Sequence, residues 1–201
     1  MEVIMRKNLI FSCAMVLLAT LFIAVMPTEA EGAVYEDTVR LHILANSDSR
    51  EDQAIKLAVR DAVLSEYGSM LAEFDCAASA EAELMGMTDE ISDFCRGVVQ
   101  DMGYEHDVSV TVGKEWYETR EYDDFSLPAG VYTSLQIFIG EGSGQNWWCV
   151  MFPPMCVDIA TENAPADTAV QKYTDEELVL ISGGGYKAKF KILELISSAF
   201  S

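Results

Sequence analysis

Six consecutive apolar residues, Trp147 to Phe152, run out of a glycine-rich segment, Gly140-Glu-Gly-Ser-Gly-Gln-Asn146, and stop at a double proline, Pro153 and Pro154. The run is too short to cross a membrane and too unbroken for a half-exposed strand. It therefore predicts a strand buried on both faces at the centre of a sheet. Upstream, Val131, Thr133, Leu135, Ile137 and Ile139 alternate along a second strand, so Gly140, Gly142 and Gly144 fall between two strands and predict a hairpin loop. A phosphate cradle needs a helix N-terminus after its glycines, and none follows here.

Two more strands are legible. Val39, Leu41 and Ile43 alternate with His42 on the opposite face, and Val108, Val110 and Val112 alternate with Ser109 and Thr111. Between them lie two helical patterns. Asp48 or Ser49 can cap the first, with Glu51 or Asp52 returning the hydrogen bond, and Ile55, Val59, Val63, Tyr67, Met70, Leu71 and Phe74 form its apolar stripe. The polar loop could suggest calcium, but the twelve-residue pattern with central Gly and final Glu is missing. After a break at residues 75–79, Leu84, Met87, Ile91, Phe94, Cys95, Val98 and Met102 predict one helix over 80–102, ended by Gly103. Residues 114–126 keep no clean period and read as loop or irregular strand. Near the C-terminus Thr174 and Glu177 predict a capping box before a short helix over 178–181, ended by Gly183 to Gly185, and Asp158 to Asp167 reads as an exposed acidic loop. The cluster Lys187, Lys189 and Lys191 reads as a solvated face.

The pattern predicts an α+β domain: two N-terminal amphipathic helices packed on a mostly antiparallel sheet of about four strands, with a short C-terminal helical segment. Residues 1–30 stand apart. Arg6 and Lys7 precede an uncharged run from Leu9 to Val25, with Thr28 and Ala30 placed as a cleavage site, the layout of a signal peptide or of a short membrane anchor over residues 9–25. Residues 31–201 then form a single exported domain. Its formal net charge remains −20, because residues 1–30 remove Arg6 and Lys7 together with Glu2 and Glu29. So acidic a chain excludes nucleic acid as a partner, since phosphate binding requires clustered Lys and Arg.

Cys76, Cys95, Cys149 and Cys156 remain in a compartment that permits disulfides. A single helix over 80–102 would place Cys95 about 25–30 Å from Cys76, beyond bridging distance. A Cys149–Cys156 bridge requires the double proline to turn the chain back; otherwise all four are small buried hydrophobes. Catalysis finds little support. An exported cysteine-dependent hydrolase, acting on peptide or cell-wall substrate, would pair Cys149 with His42, yet an apolar strand raises a thiol pKa and leaves the sulfur inert. Neither metal-ligand spacing nor a cofactor motif is present, so no metal and no cofactor are expected.

The segment Val39-Arg-Leu-His-Ile-Leu-Ala-Asn-Ser-Asp-Ser-Arg-Glu-Asp52, continuing to Asp61, with Leu127-Pro-Ala-Gly130 and Gly140 to Cys156, resembles the stage II sporulation protein R family of endospore-forming bacteria. The resemblance covers roughly residues 38–157. It implies a signalling protein and not an enzyme. Such a protein is exported from the forespore into the intermembrane space. There it switches on a membrane-embedded aspartic protease of the mother cell, stage II sporulation protein GA, which processes pro-sigma factor E. The resemblance supplies no contact residues. Asn46, Asp48, Gln145 and Asn146 are polar motif residues that a core does not need. They are the candidates for holding the two loops together or touching the partner.

Overall fold

The computed structural model describes residues 2–122, 125–155 and 172–182. The acidic segment 158–167, the glycines 183–185 and the lysine cluster lie outside the described residues, as does Cys156. Helix α1 spans Glu2–Val25, and its stretch Met5–Phe22 is long and apolar enough to cross a membrane, with none of it buried. An unforeseen helix, α2 (Glu29–Glu36), follows at once. Thr28 caps it: its hydroxyl accepts from the Glu31 backbone N–H, and the Glu31 carboxylate accepts from the Thr28 N–H. Thr28 and Ala30, expected to form a cleavage site, thus open a helix whose Val34 is fully buried, and a cut after Ala30 would remove the cap.

Strand β1 (Val39–Leu44) leads through Ser49, whose hydroxyl accepts from the Asp52 N–H, into α3 (Arg50–Ala72). The helix buries Ile55, Val59, Val63, Leu64, Tyr67 and Leu71, each worth about 1.5–3 kcal/mol of transfer free energy where the side chain is large and fully covered. Lys56, a charged residue off the predicted apolar stripe, is buried with them. The single helix expected over 80–102 is two, α4 (Ala77–Gly86) and α5 (Thr88–Asp101), joined at Met87. Helix α5 ends as anticipated. Gly103 has φ +86°, its N–H bonds the Gln100 carbonyl at 2.8 Å, and the Tyr104 N–H bonds the Val99 carbonyl at 3.2 Å, a Schellman ending. The chain continues with β2 (Val108–Tyr117), the two-residue strands β3 (Arg120–Glu121) and β4 (Ser126–Leu127), β5 (Gly130–Ile139) and β6 (Asn146–Phe152). The last described helix, α6 (Asp175–Ser182), starts from the predicted capping box, the Glu177 carboxylate accepting from the Thr174 N–H at 2.6 Å.

All four predicted strands form one sheet in the order β2-β5-β1-β6, paired antiparallel, parallel and antiparallel. The fold is therefore a mixed α/β arrangement whose four-stranded sheet is antiparallel in two of its three pairings, while three helices, α3 to α5, stand between β1 and β2 in place of the two expected. Two sequence expectations fail with it. Strands β5 and β6 are no hairpin, because β1 lies between them, and β6 is an edge strand instead of the central one. The glycine segment has to cross the end of β1 to connect them. Its apolar run is only partly doubly buried: Cys149 to Phe152 are buried, whereas Trp147 and Trp148 are half-exposed. Residues expected to be irregular over 114–126 extend β2 to Tyr117 and form the small β3–β4 pair.

Candidate functional site

The glycine segment crosses the end of β1 in direct contact with the chain that leaves it. The Gly144 N–H bonds the Ala45 carbonyl at 2.9 Å, and the Ser143 hydroxyl donates to the Asn46 carbonyl at 2.7 Å. Asn46 uses both ends of its amide. Its Oδ1 accepts from the Glu141 N–H at 3.0 Å, while its Nδ2 donates to Asp52 Oδ2 at 2.9 Å. Asp48 accepts from the Gln145 N–H at 2.7 Å. The glycines allow this approach: a Cβ on Gly140, which has φ +58°, would meet Asn46 Oδ1 at 2.1 Å, and one on Gly144 would meet the Ser47 carbonyl oxygen at 2.2 Å.

Asp52 anchors the junction from inside α3. It is 7% exposed and accepts from Asn46, from the Ser47 hydroxyl at 2.5 Å and, through Oδ1, from His106 Nε2 at 2.9 Å. Burial alone would raise its pKa, but the hydrogen bonds from Ser47, Asn46 and His106 outweigh burial and hold the carboxyl below its ordinary value. A carboxylate so depressed stabilises the fold above its unfolded pKa, about 3.9, and that contribution is lost as pH falls through the lower folded value. Asp37 acts in the opposite sense. Burial first, then the Glu177 charge, push its pKa up, so protonation relieves a cost there. Urea unfolding at stepped pH should therefore show stability falling below about pH 4, and Asp52→Asn should flatten that acid limb.

Lys56 completes the site. Its Nζ donates to the Gln53 side chain at 2.6 Å and to the Gln145 carbonyl at 2.9 Å, and burial lowers its pKa despite the opposing charge of Asp48. The four predicted residues are thus brought to one junction, in different roles. Asn46 and Asp48 bind the glycine segment through their side chains, Gln145 joins through its backbone, and Asn146 opens β6 opposite Leu44. The side chains of Gln145 and Asn146 face solvent. Sequence reading missed Lys56, Ser143 and His106. Lys56 gave no local signal, because its helical neighbours Asp52, Gln53 and Arg60 are polar, and the partnership of His106 with Asp52 arises only from the fold.

Cys149 is fully buried and disulfide-bonded, which leaves it no thiolate and removes the basis for a cysteine hydrolase. Cys156, the partner that a turn at the double proline would allow, lies outside the described residues. Cys76 and Cys95 are free, in line with the disfavoured bridge between them, but only Cys95 is buried, where burial pushes its thiol up to about 12, whereas Cys76 is exposed. Among the described residues no group of His, Cys, Asp and Glu could hold a metal ion.

A family model described as stage II sporulation protein R matches residues 35–162, a span that includes both motif loops. Stage II sporulation protein R of Bacillus subtilis (strain 168) is 31% identical over 185 residues, covering 83% of this chain and 83% of that protein. No solved structure matches the chain.

Proposed function

This chain belongs to the stage II sporulation protein R family, and from that premise we propose that it is the exported signal which activates a membrane-embedded aspartic protease, stage II sporulation protein GA, so that pro-sigma factor E is processed in the mother cell. A role in sporulation follows from the family itself. The apolar helix α1 fits a signal peptide or an anchor, and export from the forespore into the intermembrane space is the setting in which the chain would meet the protease. Family membership is the observation that carries the proposal.

Activation by a binding partner requires tighter binding to the active form of the protease than to the inactive one, by about 1.4 kcal/mol for each tenfold shift. The junction suits that task. Asn46, Asp48 and Asp52 fix the glycine segment, so Gln145 and Asn146 are presented on a support ordered before contact. We assign Gln145 and Asn146 to the contact and Asn46 and Asp48 to holding them. Deleting the gene and following pro-sigma factor E by immunoblot tests the proposal. Accumulation of the unprocessed precursor is expected, and normal processing in the deletion strain would end it.

A further inference from the structure

Helix α6 meets α2 through two acidic side chains. Glu177, in the first turn of α6, is 1% exposed. Its Oε2 accepts from the Thr174 N–H at 2.6 Å and from the Thr174 hydroxyl at 2.7 Å. Its Oε1 is buried with no donor on it, and a buried acceptor left in that state is costly. The side chain in hydrogen-bonding contact with Glu177 is that of Asp37, which closes the C-terminus of α2, where its own N–H bonds the Ala33 carbonyl at 2.8 Å. Beside this contact Thr38 Oγ1 and Tyr173 OH lie 2.8 Å apart, and both residues are buried.

Two ionised carboxylates have no hydrogen to place between them, so the contact is a bond only when one of the pair holds a proton. Glu177 already takes two donors on Oε2 at the N-terminus of a helix, where negative charge is favoured, which leaves the proton to Asp37 and makes Oε1 its acceptor. Burial and the Glu177 charge act on Asp37 in that direction. A calcium ion would also neutralise the pair, but it takes about six to eight oxygen ligands, and among the described residues no group of three or more His, Cys, Asp and Glu is placed to hold a metal. A proton needs only the two. The other charged and titratable groups that act at this place are Glu36 on α2, Tyr173 before α6, Cys76 before α4 and Arg40 on β1. Glu36 adds repulsion to Asp37, and burial holds the Tyr173 phenol above its ordinary value. The Arg40 guanidinium lies over the Tyr117 and Tyr132 rings and donates to the Tyr122 hydroxyl at 2.9 Å.

We propose that Asp37 and Glu177 share a single proton and that this proton latches α6 onto α2, holding the helix in acid and loosening it as the pH rises. With both groups ionised, two like charges meet in a buried contact, and withdrawal of α6 lets water reach them. A carboxyl whose folded pKa is raised contributes stability below its unfolded value, about 3.9, and loses that contribution as pH rises through the folded value. The latch therefore opposes Asp52, whose contribution is lost in acid. It lies next to the start of β1, whereas the loop junction follows the end of that strand, and it does not depend on the proposed protease partnership.

The test uses the full chain in detergent. Carbon-13 NMR of the carboxyl groups should place the Asp37 midpoint above the ordinary value of about 3.9, and Glu177→Gln should lower it by at least about one unit. Amide hydrogen exchange, corrected for its intrinsic pH dependence, should show the protection of α6 falling at least about tenfold between about pH 5 and about pH 8. Asp37→Asn should keep that protection, because its amide donates to Glu177 Oε1 with no proton to lose. Should Glu177→Gln fail to fold, the exchange comparison decides alone. An Asp37 midpoint that Glu177→Gln leaves in place, or equal α6 protection across this range in the wild type and Asp37→Asn, overturns the inference.

Discussion

Replacing Asp52 with alanine should destabilise the protein by about 3 kcal/mol, lowering Tm by roughly 6–12 °C for a domain of this size. The carboxylate accepts from the Asn46 amide, the Ser47 hydroxyl and His106, and bonds of this kind to a charged group contribute about 1.5–3 kcal/mol each, though not additively. Alanine also strands the donors. Asn46 would lose the contact that fixes its amide, and with it the Oδ1 that accepts from the Glu141 N–H in the other loop. The loss therefore spreads from α3 to the glycine segment. Asp52→Asn keeps the shape but sets an amide donor against donors, so an intermediate cost is expected. Urea unfolding followed by circular dichroism measures both. A double mutant with His106→Ala separates this account from simple truncation: the two changes should be clearly less than additive, because either one breaks the same bond. Additive effects would show that His106 and Asp52 act independently.

The position of Asp52 at the centre of the site explains how far sequence reading could go. The polar residues after β1 were legible because a core has no use for Asn46 and Asp48 there, and cap chemistry placed the start of α3 at Ser49, one residue from the alternative. The strands were legible from period-two alternation, which depends on each strand alone. Their neighbours were not. Gly140, Gly142 and Gly144 have the same turn chemistry whether a loop joins adjacent strands or crosses over a third, so the hairpin expectation had no local signal against it. The parallel pairing of β1 with β5 joins residues more than ninety positions apart, Leu41 with Leu135. The apolar run in β6 read as central because both its faces avoid water, yet a strand at the sheet edge can be covered by side chains and neighbouring segments without a second strand beside it. The break between α4 and α5 has no proline to announce it; Gly86 and the non-helical backbone at Met87 suffice.

The same reasoning predicts opposite signs for two glycine-to-alanine changes. Gly97 lies inside α5, where a Cβ would meet nothing within 4 Å, so alanine there should raise stability by up to about 1 kcal/mol through restriction of the unfolded chain and better helix propensity. At Gly144 the added Cβ would lie 2.2 Å from the Ser47 carbonyl oxygen and 2.4 Å from its carbonyl carbon. Those are backbone atoms, and no rotamer change relieves the clash. One loop must withdraw, stretching the Gly144 to Ala45 hydrogen bond and the Gln145 to Asp48 bond beside it, at a cost of about 2–3 kcal/mol. Gly140→Ala should also be costly, because its φ is positive and the added Cβ would meet not only Asn46 Oδ1 at 2.1 Å but Asn46 Cβ at 2.9 Å, which no rotation moves, and turning the amide aside breaks its bonds to Glu141 and Asp52. Unfolding midpoints with Gly97→Ala above wild type and both Gly140→Ala and Gly144→Ala well below it would establish that close contact between the loops sets the requirement for glycine. Equal tolerance at 97 and 144 would mean that the loops are held apart in solution, and Asn46 and Asp48 would then have no fixed segment to hold.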